Sequence, residues 1–151
     1  MRITTKGRYG LRAVINLAMS SHTRPTSIGS IAGEENVSSE FLEQIFYKLK
    51  KAGLIRSVRG PGGGFILDRK PQQISVKDIL DAVGETGGLT PCTLRRRTLC
   101  ERPDPCPAHE IWVGLQERIS DYLRGVTLQD IIDKNGRKLY GTLDADHDFS
   151  I

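Results

Sequence analysis

Cysteine is scarce in this chain. Three occur in 151 residues, an odd number that cannot close a disulfide framework without leaving one thiol over. The N-terminal MRITTKGRYG has no apolar h-region, which argues against a secretory signal. No apolar run approaches the ~18 residues that suggest a membrane span. We therefore expect a cytoplasmic protein in a reducing compartment, with no membrane partner. The marks of an enzyme are also missing. There is no Ser-His-Asp arrangement and no strand–turn–helix nucleophile elbow. In GPGGGF, Phe65 stands where a third glycine would be needed, and no GK[ST] follows, so a nucleotide loop is not expected. Cys106 with His109 as base is the one nucleophile pairing to weigh, and no substrate pocket accompanies it. We expect no catalysis and no small-molecule substrate. No internal repeat is found.

Charge, by contrast, is present and unevenly spread. Residues 1–70 carry 12 Lys/Arg against 5 Asp/Glu, a balance of +7, whereas residues 71–151 carry 10 against 13, a balance of −3. A basic half of this kind suits a polyanion, and nucleic acid is the default.

Hydrophobic periodicity then orders the chain. GRYGLRAVINLAMSS places Tyr9, Val14, Leu17 and Ala18 near helical spacing and predicts a helix over residues 5–20, ended by HTRP. Thr26 or Ser27 caps a short second helix with Ile28, Ile31 and Ala32. After the turn ENVSS, a third helix places Phe41, Leu42, Ile45, Phe46 and Leu49 on one face. Lys48, Lys50 and Lys51 lie near its C-terminus and Gly53 stops it. Two β-prone runs, Leu54–Val58 and Phe65–Leu67, flank RGPGGG and predict a hairpin. Ser75 and Asp78 form a capping-box pattern ahead of Ile79, Leu80 and Val83. A long helix from Pro107 to Leu123 carries Ile111, Leu115, Ile119 and Leu123 at four-residue spacing, joined by Trp112 and Tyr122. Thr127 and Asp130 make a second capping box, leading a short helix through Asp133. The remaining tail is expected to be loosely ordered.

The expected fold is mainly α with a small β-hairpin wing, since three helices followed by a hairpin is the order of a winged helix-turn-helix. A helix fits the major groove of duplex DNA, and the helix before it braces it across the backbone. On the third helix, Ser38, Ser39, Glu40, Glu43, Gln44 and Tyr47 are the polar residues available to face outward. Gln44 suits adenine and Glu43 suits cytosine N4, while Ser38 and Ser39 suit phosphate. In the hairpin, Gly60, Pro61, Gly62 and Gly63 make a tip of little bulk, and Arg59 at its base suits a minor groove.

All three cysteines fall in CTLRRRTLCERPDPCPAH, with seven residues between Cys92 and Cys100, five between Cys100 and Cys106, and two between Cys106 and His109. Thiolates and imidazole ligate zinc and Fe–S clusters, and spacing alone permits either. Pro107 suits the first helical position, which would make Cys106 the cap of the long helix and favour its thiolate. Arg95, Arg96, Arg97 and Arg102 would offset an anionic cluster. His22 is read as solvated. His147, among Asp144, Asp146 and Asp148, is read as part of a soluble tail.

MRITTKGRYGLRA, FLEQIF, KLKKAGLIRSVRGPGGGF and the Cys…Cys…Cys-x2-His stretch resemble IscR-like Fe–S-responsive bacterial transcription regulators. That winged-helix family also includes NsrR-like and RirA-like proteins, and the resemblance covers about residues 1–134. It implies a [2Fe–2S] cluster on Cys92, Cys100, Cys106 and His109. It implies DNA contact by Ser38–Tyr47 and Arg59–Gly64, and control, as repressor or activator, of Fe–S assembly genes. It further implies a homodimer on operator DNA, seamed by Ile111, Trp112, Leu115, Ile119, Tyr122 and Leu123. The chain departs from the IscR-like pattern in two places. Seven residues rather than five separate its first two cysteines, as in RirA-like regulators associated with a [4Fe–4S] cluster, and Glu40 replaces a common serine. Arg8 lies where NsrR-like proteins carry an acidic ligand, which argues against a nitric-oxide sensor. From another class, a Cys3His zinc-stabilised module binding RNA or protein is the rival. The expected domains are a DNA-binding unit over 1–83, a cluster loop over 84–109, the dimerisation and following helices over 110–134, and a flexible tail over 135–151.

Overall fold

A computed structural model describes residues 3–20, 24–85, 87–93 and 105–141. Among them are six α-helices and one two-stranded sheet, in the order α1 (Thr5–Ser20), α2 (Ile28–Glu35), α3 (Ser39–Lys51), β1 (Ile55–Val58), β2 (Gly64–Leu67), α4 (Val76–Val83), α5 (His109–Gly125) and α6 (Leu128–Gly141). Short 3-10 turns lie at Pro71–Gln73 and Pro91–Thr93. This is the mainly α architecture with a hairpin wing that periodicity predicts.

The caps are local and follow from sequence. The Ser27 hydroxyl accepts from Ser30 N–H at 3.1 Å and starts α2. Asn36, in the left-handed region at φ 53°, ends it. The Ser38 hydroxyl accepts from Phe41 N–H at 3.1 Å and starts α3. Ser75 and Asp78 form a reciprocal capping box on α4. Thr127 and Asp130 do the same for α6: Thr127 N–H and Oγ1 donate to the Asp130 carboxylate at 2.8 and 2.9 Å. Those two bonds hold the Asp130 carboxyl below its ordinary range, the backbone donor contributing most. The two boxes are sutured together. Ser75 and Thr127 form an antiparallel bridge, with Val76 N–H donating to Val126 O and Leu128 N–H to Ile74 O, both at 2.9 Å.

The core gathers the apolar faces of α1, α3 and α4 around Val14, Leu17, Leu42, Ile45, Phe46, Leu49 and Ile79. Leu128 of α6 is fully buried in the same cluster, so the core is not confined to residues 1–83. The hairpin pairs Ile55 with Leu67 and Val58 with Gly64. Phe65 of β2 meets Phe46 of α3 edge-on at 4.9 Å between centroids, which pins wing to helix.

Two expectations need correction. The long helix begins at His109, not Pro107, and its N-cap is Ala108 rather than Cys106. His109 N–H donates to Cys106 O at 3.0 Å, which closes a turn with Pro107 in its second position, where proline is favoured. The second correction is at the tail. α6 continues past Asp133 to Gly141, into the stretch expected to be loose. Gly136 in its interior costs about 1 kcal/mol. The capping box and the docking of α6 on α1 and on the Pro71–Gln73 turn outweigh that cost.

Candidate nucleic-acid interface and metal centre

The third helix separates its faces. Leu42, Ile45, Phe46 and Leu49 are buried, while Glu40, Glu43, Gln44 and Tyr47 are exposed along one stripe, with Tyr47 69% open to solvent. Ser38 is exposed and Ser39 half-buried. The Ser38 oxygen is occupied as a cap acceptor, which leaves its hydroxyl proton to donate outward. Not every nearby cation is free. Lys48 Nζ donates to Val83 O at 3.2 Å and so ties α3 to α4. Lys50 Nζ donates to Ser57 Oγ at 3.0 Å and ties α3 to β1. Behind α3, the brace is polar. Arg12 pairs with Glu35 at 2.6 Å, and Asn16 donates to Glu34, joining α1 to α2.

At the wing, Arg59, Gly60, Pro61 and Gly62 are exposed and Gly63 is half-buried. Gly63 N–H donates to Gly60 O at 2.9 Å, closing a turn with Pro61 and Gly62 at its centre; Gly62 has φ 72°, as a type II turn requires. Gly64 faces another constraint, since a Cβ there would lie 2.4 Å from Thr26 O. Thr26 and Phe65 exchange backbone bonds at 3.0 and 2.8 Å, fastening the wing to the start of α2. The glycines of RGPGGG thus have reasons within the hairpin. Arg59–Gly62 themselves stay exposed.

Of the four predicted ligands, Cys92, Cys106 and His109 are described and half-buried, and Cys100 lies outside the described residues. So do Arg95, Arg96, Arg97, Arg102, His22, Asp144, Asp146, His147 and Asp148. Cys92 sits in the Pro91–Thr93 turn, which packs against α5. Thr90 Oγ1 lies 3.0 Å from Cys92 Sγ. Leu89 N–H donates to Gln116 Oε1 on α5 at 2.9 Å. Cys106 and His109 stand at the opposite margin of the loop, at the entry to α5. Among the described residues, no three His, Cys, Asp or Glu side chains alone make a metal-holding group. The donor chemistry fits a soft metal or an Fe–S cluster: two free thiols and an imidazole, with a hydroxyl against one sulfur.

The segment leading to this loop is clamped. Gly84, at φ 97°, ends α4, and Glu85 N–H donates to Leu80 O at 2.9 Å. The Glu85 carboxylate accepts from Thr4 N–H at 3.4 Å and from Thr4 Oγ1 at the start of α1. Sequence reasoning missed Glu85, Thr90 and Gln116, because each acts on a partner far along the chain or through backbone geometry.

Among the described residues, much of the α5 stripe is left uncovered. No residue of α5 is buried, and Ile111, Leu115 and Tyr122 are 66%, 43% and 72% exposed. Trp112 is exposed as well, while Ile119 and Leu123 are half-buried. An intramolecular core role therefore does not account for Ile111, Leu115 or Tyr122. Among the described residues, no helix is long and apolar enough to cross a membrane.

Residues 3–134 match the Rrf2 family, described as an iron-dependent transcriptional regulator. The transcriptional regulator IscR of Klebsiella pneumoniae is 38% identical over 144 residues, covering 91% of this chain and 87% of its own. The structure of CymR, the global cysteine regulator of B. subtilis, superposes with TM-score 0.74 at 33% identity, covering 89% of this chain and 98% of its own. That of T. potens IscR superposes with TM-score 0.73 at 31% identity, covering 97% and 94%.

Proposed function

Because this chain belongs to the Rrf2 family of transcriptional regulators, we propose that it is a homodimeric, Fe–S-sensing reader of operator DNA. Its relatives regulate transcription and are not enzymes. The observation that carries the reading is the packing of the Cys92 turn on α5, the helix whose first residue is His109, in a chain that also exposes a polar stripe on α3. Cys92, Cys100, Cys106 and His109 would hold a [2Fe–2S] cluster. When bound, such a cluster supplies a tie between distant thiolates that iron shortage or oxidation undoes.

The chain's own residues would do the rest. Glu40, Glu43, Gln44 and Tyr47 face base edges, Ser38 and Ser39 face phosphate, and Arg59 with Gly60–Gly63 meets the adjacent minor groove. Ile111, Trp112, Leu115, Ile119, Tyr122 and Leu123 pair with the same residues of a second copy, so that two half-sites about one helical turn apart are read together. Lys48 to Val83 and Glu85 to Thr4 connect α3 and α1 to the start of the ligand loop. A change in that loop thereby reaches the reading head. Control of Fe–S assembly genes, in the cytoplasm, is the role this reading implies.

An anaerobic absorbance spectrum with iron, sulfide and zinc counts tests the proposal. Red-brown protein with two irons and two sulfides per chain, the content of a [2Fe–2S] cluster, supports it, and Cys100→Ala then abolishes the colour while the protein stays folded. Twice that content points to a [4Fe–4S] cluster, consistent with the seven-residue spacing from Cys92 to Cys100. Colourless protein holding one zinc, or full colour in Cys100→Ala, overturns it.

A further inference from the structure

We propose that Gln116 is a positioning residue for the Cys92 ligand, anchoring the turn that carries Cys92 to the helix that carries His109. The proposal rests on the cluster reading above. Gln116 Oε1 accepts from Leu89 N–H at 2.9 Å, across 27 residues that include all four proposed ligands. His109 and Gln116 are seven positions apart on α5, so they share one face, with a rise of about 10 Å between them. Cys106 lies just before that face begins.

The turn is self-closed. Thr93 N–H and Oγ1 both donate to Thr90 O, at 3.0 and 2.9 Å. Thr90 N–H donates to Thr93 Oγ1 at 3.1 Å. The Thr90 hydroxyl rests 3.0 Å from Cys92 Sγ. These bonds set the shape of the Cys92 backbone without any metal, but they do not say where the turn sits. Its placement on α5 comes from packing and from the Leu89–Gln116 bond. Gln116 is half-buried beside an otherwise apolar stripe, where leucine would extend the apolar surface. A glutamine there satisfies a backbone N–H that the turn leaves unpaired. The ordering of Cys92 is thus completed on folding rather than on ligand binding, which tightens the holding of any group shared by Cys92 and His109.

The test measures three things on full-length protein, for wild type, Gln116→Ala and Gln116→Glu. They are iron release to a chelator after anaerobic reconstitution, amide exchange over residues 87–93 in the metal-free form, and oligomeric state. Loss of one hydrogen bond predicts roughly five- to tenfold faster iron release from Gln116→Ala. Leu89 should also lose amide protection, with the melting temperature and oligomeric state of wild type kept. Glutamate retains the acceptor oxygen and should restore slow release and Leu89 protection. Release and Leu89 exchange unchanged in Gln116→Ala overturn the proposal, as does equal acceleration in Gln116→Glu. Wild-type protein that takes up neither iron nor sulfide overturns the cluster reading instead, a different and separately visible failure.

Discussion

Single residues decide how the proposed reading surface is held. Three glycines show three different reasons for having no side chain. At Gly64 a Cβ would strike Thr26 O at 2.4 Å, at Gly62 the backbone has φ 72°, and at Gly33 there is open space. Gly64→Ala should therefore destabilise by about 1–3 kcal/mol through forced backbone displacement. Gly62→Ala should cost about 1–2 kcal/mol for its left-handed backbone. Gly33→Ala, inside α2, should stabilise by about 0.5–1 kcal/mol. Urea unfolding of the three variants checks the order. A Gly64→Ala protein as stable as wild type would mean that the wing does not depend on its contact with Thr26. The proposed ligand residues depend on neighbours in the same way. Cys92 is placed by Thr90, Thr93 and Gln116, none of which is itself a metal ligand type of choice.

At the scale of elements, α5 stands out because Ile111, Leu115 and Tyr122 of its apolar stripe stay open to water among the described residues. A helix with Ile111, Leu115 and Tyr122 open to water needs a partner to bury them. Leu115→Asp places a charge at the middle of that stripe. It should raise the dissociation constant of the proposed dimer by about 100-fold or more, as loss of a central interface contact does. Sedimentation velocity over a dilution series reads the change, and circular dichroism should show unaltered helix content, since Leu115 supports no core. A dimer unaffected by Leu115→Asp would place the seam elsewhere. α3 makes the contrast. Leu42, Ile45, Phe46 and Leu49 are buried while Glu40, Glu43, Gln44 and Tyr47 are exposed, so substitutions of those four exposed residues should alter binding while leaving stability nearly unchanged.

Over the whole molecule, charge and coupling are arranged together. The balance of +7 over residues 1–70 predicts binding to duplex DNA that weakens steeply with salt. With several phosphates neutralised per bound protein, affinity for a mixed-sequence duplex should fall by about 1,000-fold or more between 50 and 200 mM salt. Fluorescence anisotropy over that range measures the slope, and a flat response would remove the basic half from the interface. The acidic second half wraps back onto the first through α6 and the sutured capping boxes. The Cys92 turn, α5, α4 and α3 are therefore parts of one packed body.

What the sequence by itself determined is what acts over three or four residues. The capping serines and Thr127, the buried faces of α1, α3 and α4, and the hairpin around Pro61–Gly62 all depend on bonds or periodicities within a single turn. The Cys-His spacing and the exposed stripe of α3 were legible for the same reason. Tertiary structure decided the rest. It set the clamp of Glu85 on Thr4, 81 residues away, and the anchor of Leu89 on Gln116, 27 residues away. It made Cys106 part of a proline turn rather than a cap, carried α6 to Gly141, and left Ile111, Leu115 and Tyr122 of the α5 stripe open to solvent. Such contacts require loops to close and faces to compete for burial, and the outcome of that competition depends on every other element at once.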